Sequence, residues 1–155
     1  MKVYIGPYPD EGEQKIDVHI DKYDTWSMDH TLSYIIVPML KQLKETKHGS
    51  PNVDPTEVPE ELRPSGEWKK AYEGDGSADD KYHKRWDWVL DEMIWAFEQK
   101  TIDWNKEYFG EYVPSENDEG FGNYPNADWD RMKKHQERMS NGFRLFGKYY
   151  EALWD

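Results

Sequence analysis

Residues 82–97, reading Tyr-His-Lys-Arg-Trp-Asp-Trp-Val-Leu-Asp-Glu-Met-Ile-Trp-Ala-Phe, constrain this chain more than any other stretch. Tyr82, Trp86, Val89, Leu90, Met93 and Phe97 recur at helical spacing, and Trp88, Ile94 and Trp95 lie off that stripe. Only a strip around Asp87, Asp91 and Glu98 is clearly polar. The pattern predicts a helix over about Asp79–Lys100 that is apolar around most of its circumference. Such a helix belongs at the centre of a fold, or gives one face to a partner or ligand. The rest of the chain has little else to build with. Of its 155 residues, 36% are hydrophobic, while 32 acids against 20 bases leave a net charge of −12. Aromatics make up the shortfall at 15%, with 8 Trp, 11 Tyr and 5 Phe, and that richness separates the chain from disordered sequences of similar charge.

Two further helices fit around it. Met28, Leu32, Ile35, Ile36, Met39 and Leu43 follow the 3.6-residue repeat after a cap at Thr25 or Ser27, with Pro38 expected to kink or restart the helix. Gly49 and Pro51 end it. The last helix runs from about Ala127 to Leu153 on Trp129, Met132, Met139, Phe143, Phe146, Tyr150 and Leu153, and Asn141-Gly142 is read as a bend. Ahead of the helices, Lys2–Ile5 and Lys15–Asp21 read as two strands of a hairpin. In the second, Ile16, Val18 and Ile20 alternate with Asp17 and His19, so one face is apolar and the other wet. An isolated hairpin is marginal, so it is expected to pack on the helices. The fold class is α+β, mainly α: an N-terminal β-hairpin packed on about three helices, in a single domain over 1–155. Residues 50–78, with Pro51, Pro55, Pro59, Pro64, Gly66, Gly74 and Gly76, are expected to be a long irregular connection, read as a solvated tether. Residues 103–125, rich in Trp104, Tyr108, Phe109, Tyr112, Phe121 and Tyr124, read as ordered loop.

Several chemistries drop out. There is no cysteine, hence no disulfide, thiolate catalysis or Cys-based zinc site. The longest nearly apolar run, Tyr34–Leu40, is far short of the ~20 residues a membrane span needs. The opening residues lack the hydrophobic region of a secretory signal, and an intracellular location is the expectation. The charge disfavours duplex nucleic acid as a partner. No phosphate-loop, dinucleotide or nucleophile-elbow motif occurs, and His19, His30, His48, His83 and His135 show no zinc-ligand spacing.

What remains is binding chemistry. Lys44, Lys47, His48 and Ser50, around Gly49, form the best local anion site, although lysines there also complement a helix C-terminus. Arg85 could join them, with Trp26 or Trp88 stacking on a base. Arg131, Lys134 and Arg138 make a cationic stripe on the last helix, which serves either a ligand groove or internal pairing. Asp87, Asp91 and Glu92 are weak metal-ligand candidates, because Mg²⁺ would need a further oxygen from elsewhere. The acidic pair Glu57-x-x-Glu60 has the spacing of helical nucleotide pyrophosphatases but lies in the Pro-rich segment. No cofactor is expected.

Lys15–Leu32, continuing through Pro38–Pro51 to Val58–Arg63, together with Lys84–Gln99, Leu145–Tyr150 and the closing Leu153-Trp-Asp155, resembles an uncharacterised family of small tailed-bacteriophage proteins. The resemblance covers about two thirds of the chain. Between the strands only Pro9–Gln14 stands where such relatives often carry a longer aromatic segment. The resemblance implies a phage accessory protein in the host cytoplasm that acts by binding. Three readings follow, in this order: first a counter-defence sponge that sequesters a nucleotide-derived immune signal, then an acidic inhibitor of a host enzyme, and last a metal-dependent nucleotide hydrolase. The apolar second helix also suits a homo-oligomer.

Overall fold

The computed structural model describes residues 1–64, 78–114 and 124–154. Its order is β1 (Lys2–Ile5), β2 (Ile16–His19), α1 (Met28–Thr46), α2 (Tyr82–Gln99), a short α3 (Lys106–Phe109) and α4 (Trp129–Lys148). The class is the expected one, mainly helical with an N-terminal antiparallel hairpin.

α2 is the central helix. Both α1 and α4 pack against it. Its Trp86, Val89, Leu90, Met93, Ile94 and Ala96 are buried, as the near-continuous apolar circumference demands. Leu40 of α1 and Leu145 and Tyr149 from the α4 end complete the cluster, and Trp86 meets Tyr149 edge-on at 5.7 Å. Phe97 sits between Phe143 and Phe146, at 5.1 and 4.9 Å.

α4 lies close against α2 because of Gly142. A Cβ at that position would come within 2.6 Å of the Glu92 carbonyl oxygen and closer still to the Ala96 methyl. Gly142 is therefore the contact point of two helices and not the bend its Asn-Gly neighbourhood suggested. α1 continues through Pro38, which lies on its exposed side. At its start, His30 Nδ1 donates to the Lys100 carbonyl at 2.6 Å, and Lys100 Nζ pairs with Asp29, tying α1 to the end of α2.

The described part of the Pro-rich connection differs from a solvated tether. Val53 and Val58 are fully buried in the core cluster, at 0% and 2% exposure, with 3-10 turns at Pro55–Glu57 and Glu60–Leu62 around them. Asp54 caps the first turn, accepting from Thr56, and its own backbone N–H donates to the Tyr149 hydroxyl at 3.1 Å. Glu57 binds Arg144 and Lys148 of α4. The expected irregular connection beyond residue 64, and Phe121 in the aromatic loop, lie outside the described residues.

The hairpin departs from expectation in its surroundings. Its register, Lys2 with His19, Val3 with Val18, Tyr4 with Asp17 and Ile5 with Ile16, sorts the apolar residues onto one face as the alternation predicts. Yet both strands are exposed along their whole length, and among the described residues no helix packs closely on either.

Candidate functional site

The cations expected to cradle an anion are satisfied by carboxylates of the same chain. At the end of α1, Lys44 Nζ reaches Asp91 at 2.5 Å and Lys47 Nζ reaches Asp87 at 2.6 Å. The acidic strip of α2 thus faces the lysines of α1, and the four side chains zip the two helices together. Ser50 Oγ lies 2.9 Å from His83 Nδ1, and the Ser50 carbonyl accepts from the Tyr82 hydroxyl. His48 is exposed beside them. Among the described residues no third side chain stands behind the Ser50–His83 contact to orient the imidazole.

Arg85 corrects the expectation most clearly. It is buried at 0% exposure and forms a two-pronged pair with Asp79, at 3.1 and 2.8 Å, while donating to the Leu62 carbonyl at 3.0 Å. Burial opposes the charged form of Asp79, but Arg85 and the Lys81 backbone N–H outweigh it and hold the carboxyl below its ordinary range. A guanidinium committed in this way pins the Pro-rich segment to α2 and cannot meet a solvent-borne phosphate. Trp88, the other α2 candidate, packs against the core. Trp26 is the exception among the stacking candidates: it is 82% exposed and stacks on Tyr23 at 6.0 Å, between the hairpin and α1.

The cationic stripe of α4 does not form one groove. Arg138 makes a bidentate pair with Glu92, at 3.0 and 2.7 Å, and covers the Trp95 ring at 3.9 Å. Arg131 reaches Glu107 at 3.3 Å and lies over Tyr108. Lys134 is exposed, with no ion pair to a described residue. The metal candidates are spent in the same pairs: Asp87 and Asp91 on lysines of α1, Glu92 on Arg138 of α4. Among the described residues, no three His, Asp or Glu side chains gather to hold a metal ion. The Glu57-x-x-Glu60 pair is split, with Glu57 turned to α4 and Glu60 in solvent.

Sequence reasoning missed an aromatic nest around His135. Its ring stacks on Trp104 at 4.5 Å and 18° and leans on Trp95 at 4.9 Å. Nδ1 meets the Tyr108 hydroxyl at 2.8 Å, while Nε2 is buried with no partner among the described residues. Burial drives the His135 pKa down from its ordinary 6.5. The available signal was the pair Trp95 and Trp104: both fall outside the helical stripes, and each needed a flat neighbour.

It also missed how much apolar surface is left uncovered. On one hairpin face Val3, Ile5, Ile16 and Val18 are 38–62% exposed, and Ile20 just beyond β2 is 50% exposed. No protein-family model, curated protein or solved structure matches the chain. The likeness to phage proteins therefore rests on the residues quoted for it. No helix among the described residues is long and apolar enough to cross a membrane.

Proposed function

We propose that this chain is a non-catalytic accessory protein of a tailed bacteriophage that acts in the host cytoplasm by docking on a host protein and inhibiting it. The observation that supports this reading is the fate of the cations. Lys44, Lys47, Arg85, Arg131 and Arg138 are each matched to an acid of the same chain. Each such pair removes one charge of either sign, so the whole surplus of 12 acids is left for solvent or for a partner. A surface of that sign steers a basic partner towards it and speeds encounter.

The nucleotide sponge is the weaker reading. A phosphate entering at Lys44 and Lys47 would have to displace Asp91 and Asp87 and then face those same acids at contact range. The two readings separate in two measurements. Tagged protein is incubated in host lysate at low and at high salt. The inhibitor reading expects a partner held at 50 mM salt and lost by 500 mM, and an empty low-salt eluate refutes it. Calorimetry against cyclic and ADP-ribose-type nucleotides is expected to give no heat. Heat with any of them returns the sponge to first place.

A further inference from the structure

The hairpin poses a physical problem that the described residues do not solve. Residues directly opposite in an antiparallel pair share a face. The register therefore collects Val3, Val18, Ile5 and Ile16 on one side and Lys2, His19, Tyr4 and Asp17 on the other. The first side is wholly β-branched and carries no ionisable side chain, the composition of a sheet face that lies against a core. Among the described residues no helix packs closely against it. Ile16 is 62% exposed, Val18 53% and Ile5 51%. The alternation is nonetheless held in one register by local bonds. The Gly6 N–H donates to the Lys15 carbonyl, Gln14 Nε2 donates to the Gly6 carbonyl, and the Met1 amine pairs with Asp24 and Asp21. A face arranged so regularly and left in water marks an interface.

Two features on the hairpin decide what covers it. The first is area. A stable interface takes roughly 800 Å² from each partner. A strip of five aliphatic side chains, already half out of sight, supplies only part of that, so the surrounding rim has to contribute the remainder. The second is the charge of that rim. Asp10, Glu11 and Glu13 stand exposed at the tip against Lys15 alone, whereas at the base Asp21 and Asp24 share the Met1 amine and Lys2 and Lys22 stand exposed nearby. A second copy laid tip to tip would set the tip acids against one another. In any arrangement a second copy also brings a further charge of −12.

We propose that the apolar face of the β1–β2 hairpin, formed by Val3, Ile5, Ile16 and Val18, docks on a protein that presents an apolar strip edged by Lys and Arg side chains. This rests on the protein-binding reading above and adds to it the surface and the chemistry of the partner. The strip supplies desolvated contact, and the acids at the tip set orientation and exclude acidic competitors.

Site-specific photo-cross-linking tests it. Benzoylphenylalanine is placed at position 16, 18 or 4 of the full chain, and each purified protein is irradiated in host lysate. Positions 16 and 18 lie on the apolar face, and position 4 replaces Tyr4 on the opposite one. The expected result is one shared adduct from 16 and 18, at least tenfold weaker from 4. Its linked peptide carries apolar residues flanked by Lys or Arg, and its yield falls at least tenfold from 50 to 500 mM salt. Val18→Lys is expected to abolish partner capture while the helical circular dichroism and melting temperature stay as they were. An adduct of twice the chain mass makes the occupant a second copy and overturns the proposal. So does an adduct equally strong from position 4, or a linked peptide without basic residues. If a partner is retained in the pull-down but none of these positions cross-links, the docking face is wrong and the protein-binding reading survives. If both come back empty, both fall.

Discussion

Replacing Gly142 by alanine tests the packing of α4 on α2 at a single atom. The added Cβ would sit 2.6 Å from the Glu92 carbonyl oxygen, where ordinary van der Waals contact begins at 3.4 Å, and nearer still to the Ala96 methyl. Neither neighbour is the movable end of a long side chain, so the helices have to part by most of an ångström. Overpacking of this kind costs about 1–3 kcal/mol, and contact with a backbone oxygen and a methyl at once points to the upper end. Alanine recovers about 0.8–1.0 kcal/mol of helix propensity relative to glycine. The net expectation is a loss of about 2 kcal/mol. In urea, with a slope of about 2 kcal/mol per molar, that lowers the unfolding midpoint by about 1 M. Gly147 lies on the same helix, and a Cβ there would meet nothing within 4 Å. Gly147→Ala is therefore expected to leave the midpoint unchanged or raise it. If Gly142→Ala behaves like Gly147→Ala, the close approach of α2 and α4 is wrong.

Three other outcomes can be checked. Arg85→Met leaves the carboxylate of Asp79 buried without its guanidinium, and breaking a buried pair in this way is expected to cost about 3–5 kcal/mol in urea unfolding; a loss below 1 kcal/mol would contradict the burial. Acid should unfold the protein as carboxylates protonate. Hydrogen bonds from the Thr56 side chain and backbone, with Lys148 beside them, bring Asp54 from 3.8 down to about 2, and Arg144 and Lys148 lower Glu57 against the opposing effect of burial. With folded values below unfolded ones, their contribution is complete above the ordinary carboxylate range and disappears as pH falls from about 4 to 2. Tryptophan fluorescence against pH reads this, and a flat trace to pH 2 would refute it. The ring protons of His135 should titrate below 6.5 by NMR, because burial among Trp95, Trp104 and Tyr108 disfavours the imidazolium; a midpoint above 6.5 would mean the nest is open to water.

Periodicity made the elements legible. The stripes of α1, α2 and α4 and the alternation of β2 are local patterns, and each element appears where its pattern lies. Residues whose role depends on distant partners were not legible. Val53 and Val58 follow no repeat and sit among prolines, so nothing nearby marks them as core, and only the groove beside Trp86, Leu145 and Tyr149 makes them so. Lys44 and Lys47 look like an anion site because the acids that neutralise them are 40 or more residues away, on α2. Arg85 reads as a surface cation until Asp79 and the Leu62 carbonyl are seen around it. The sorting of the hairpin faces was plain from the alternation, but whether anything covers the apolar one is a matter of tertiary contact, which alternation does not encode.

Among the described residues no helix packs closely on the hairpin, and no hydrophobic residue before Leu40 belongs to the buried core. Substitutions in residues 1–26 therefore carry little penalty for the folding of the rest. A chain built this way can alter the residues that meet its surroundings, or lengthen the link between its strands, while the three-helix body keeps its stability. Selection on one part then leaves the other untouched.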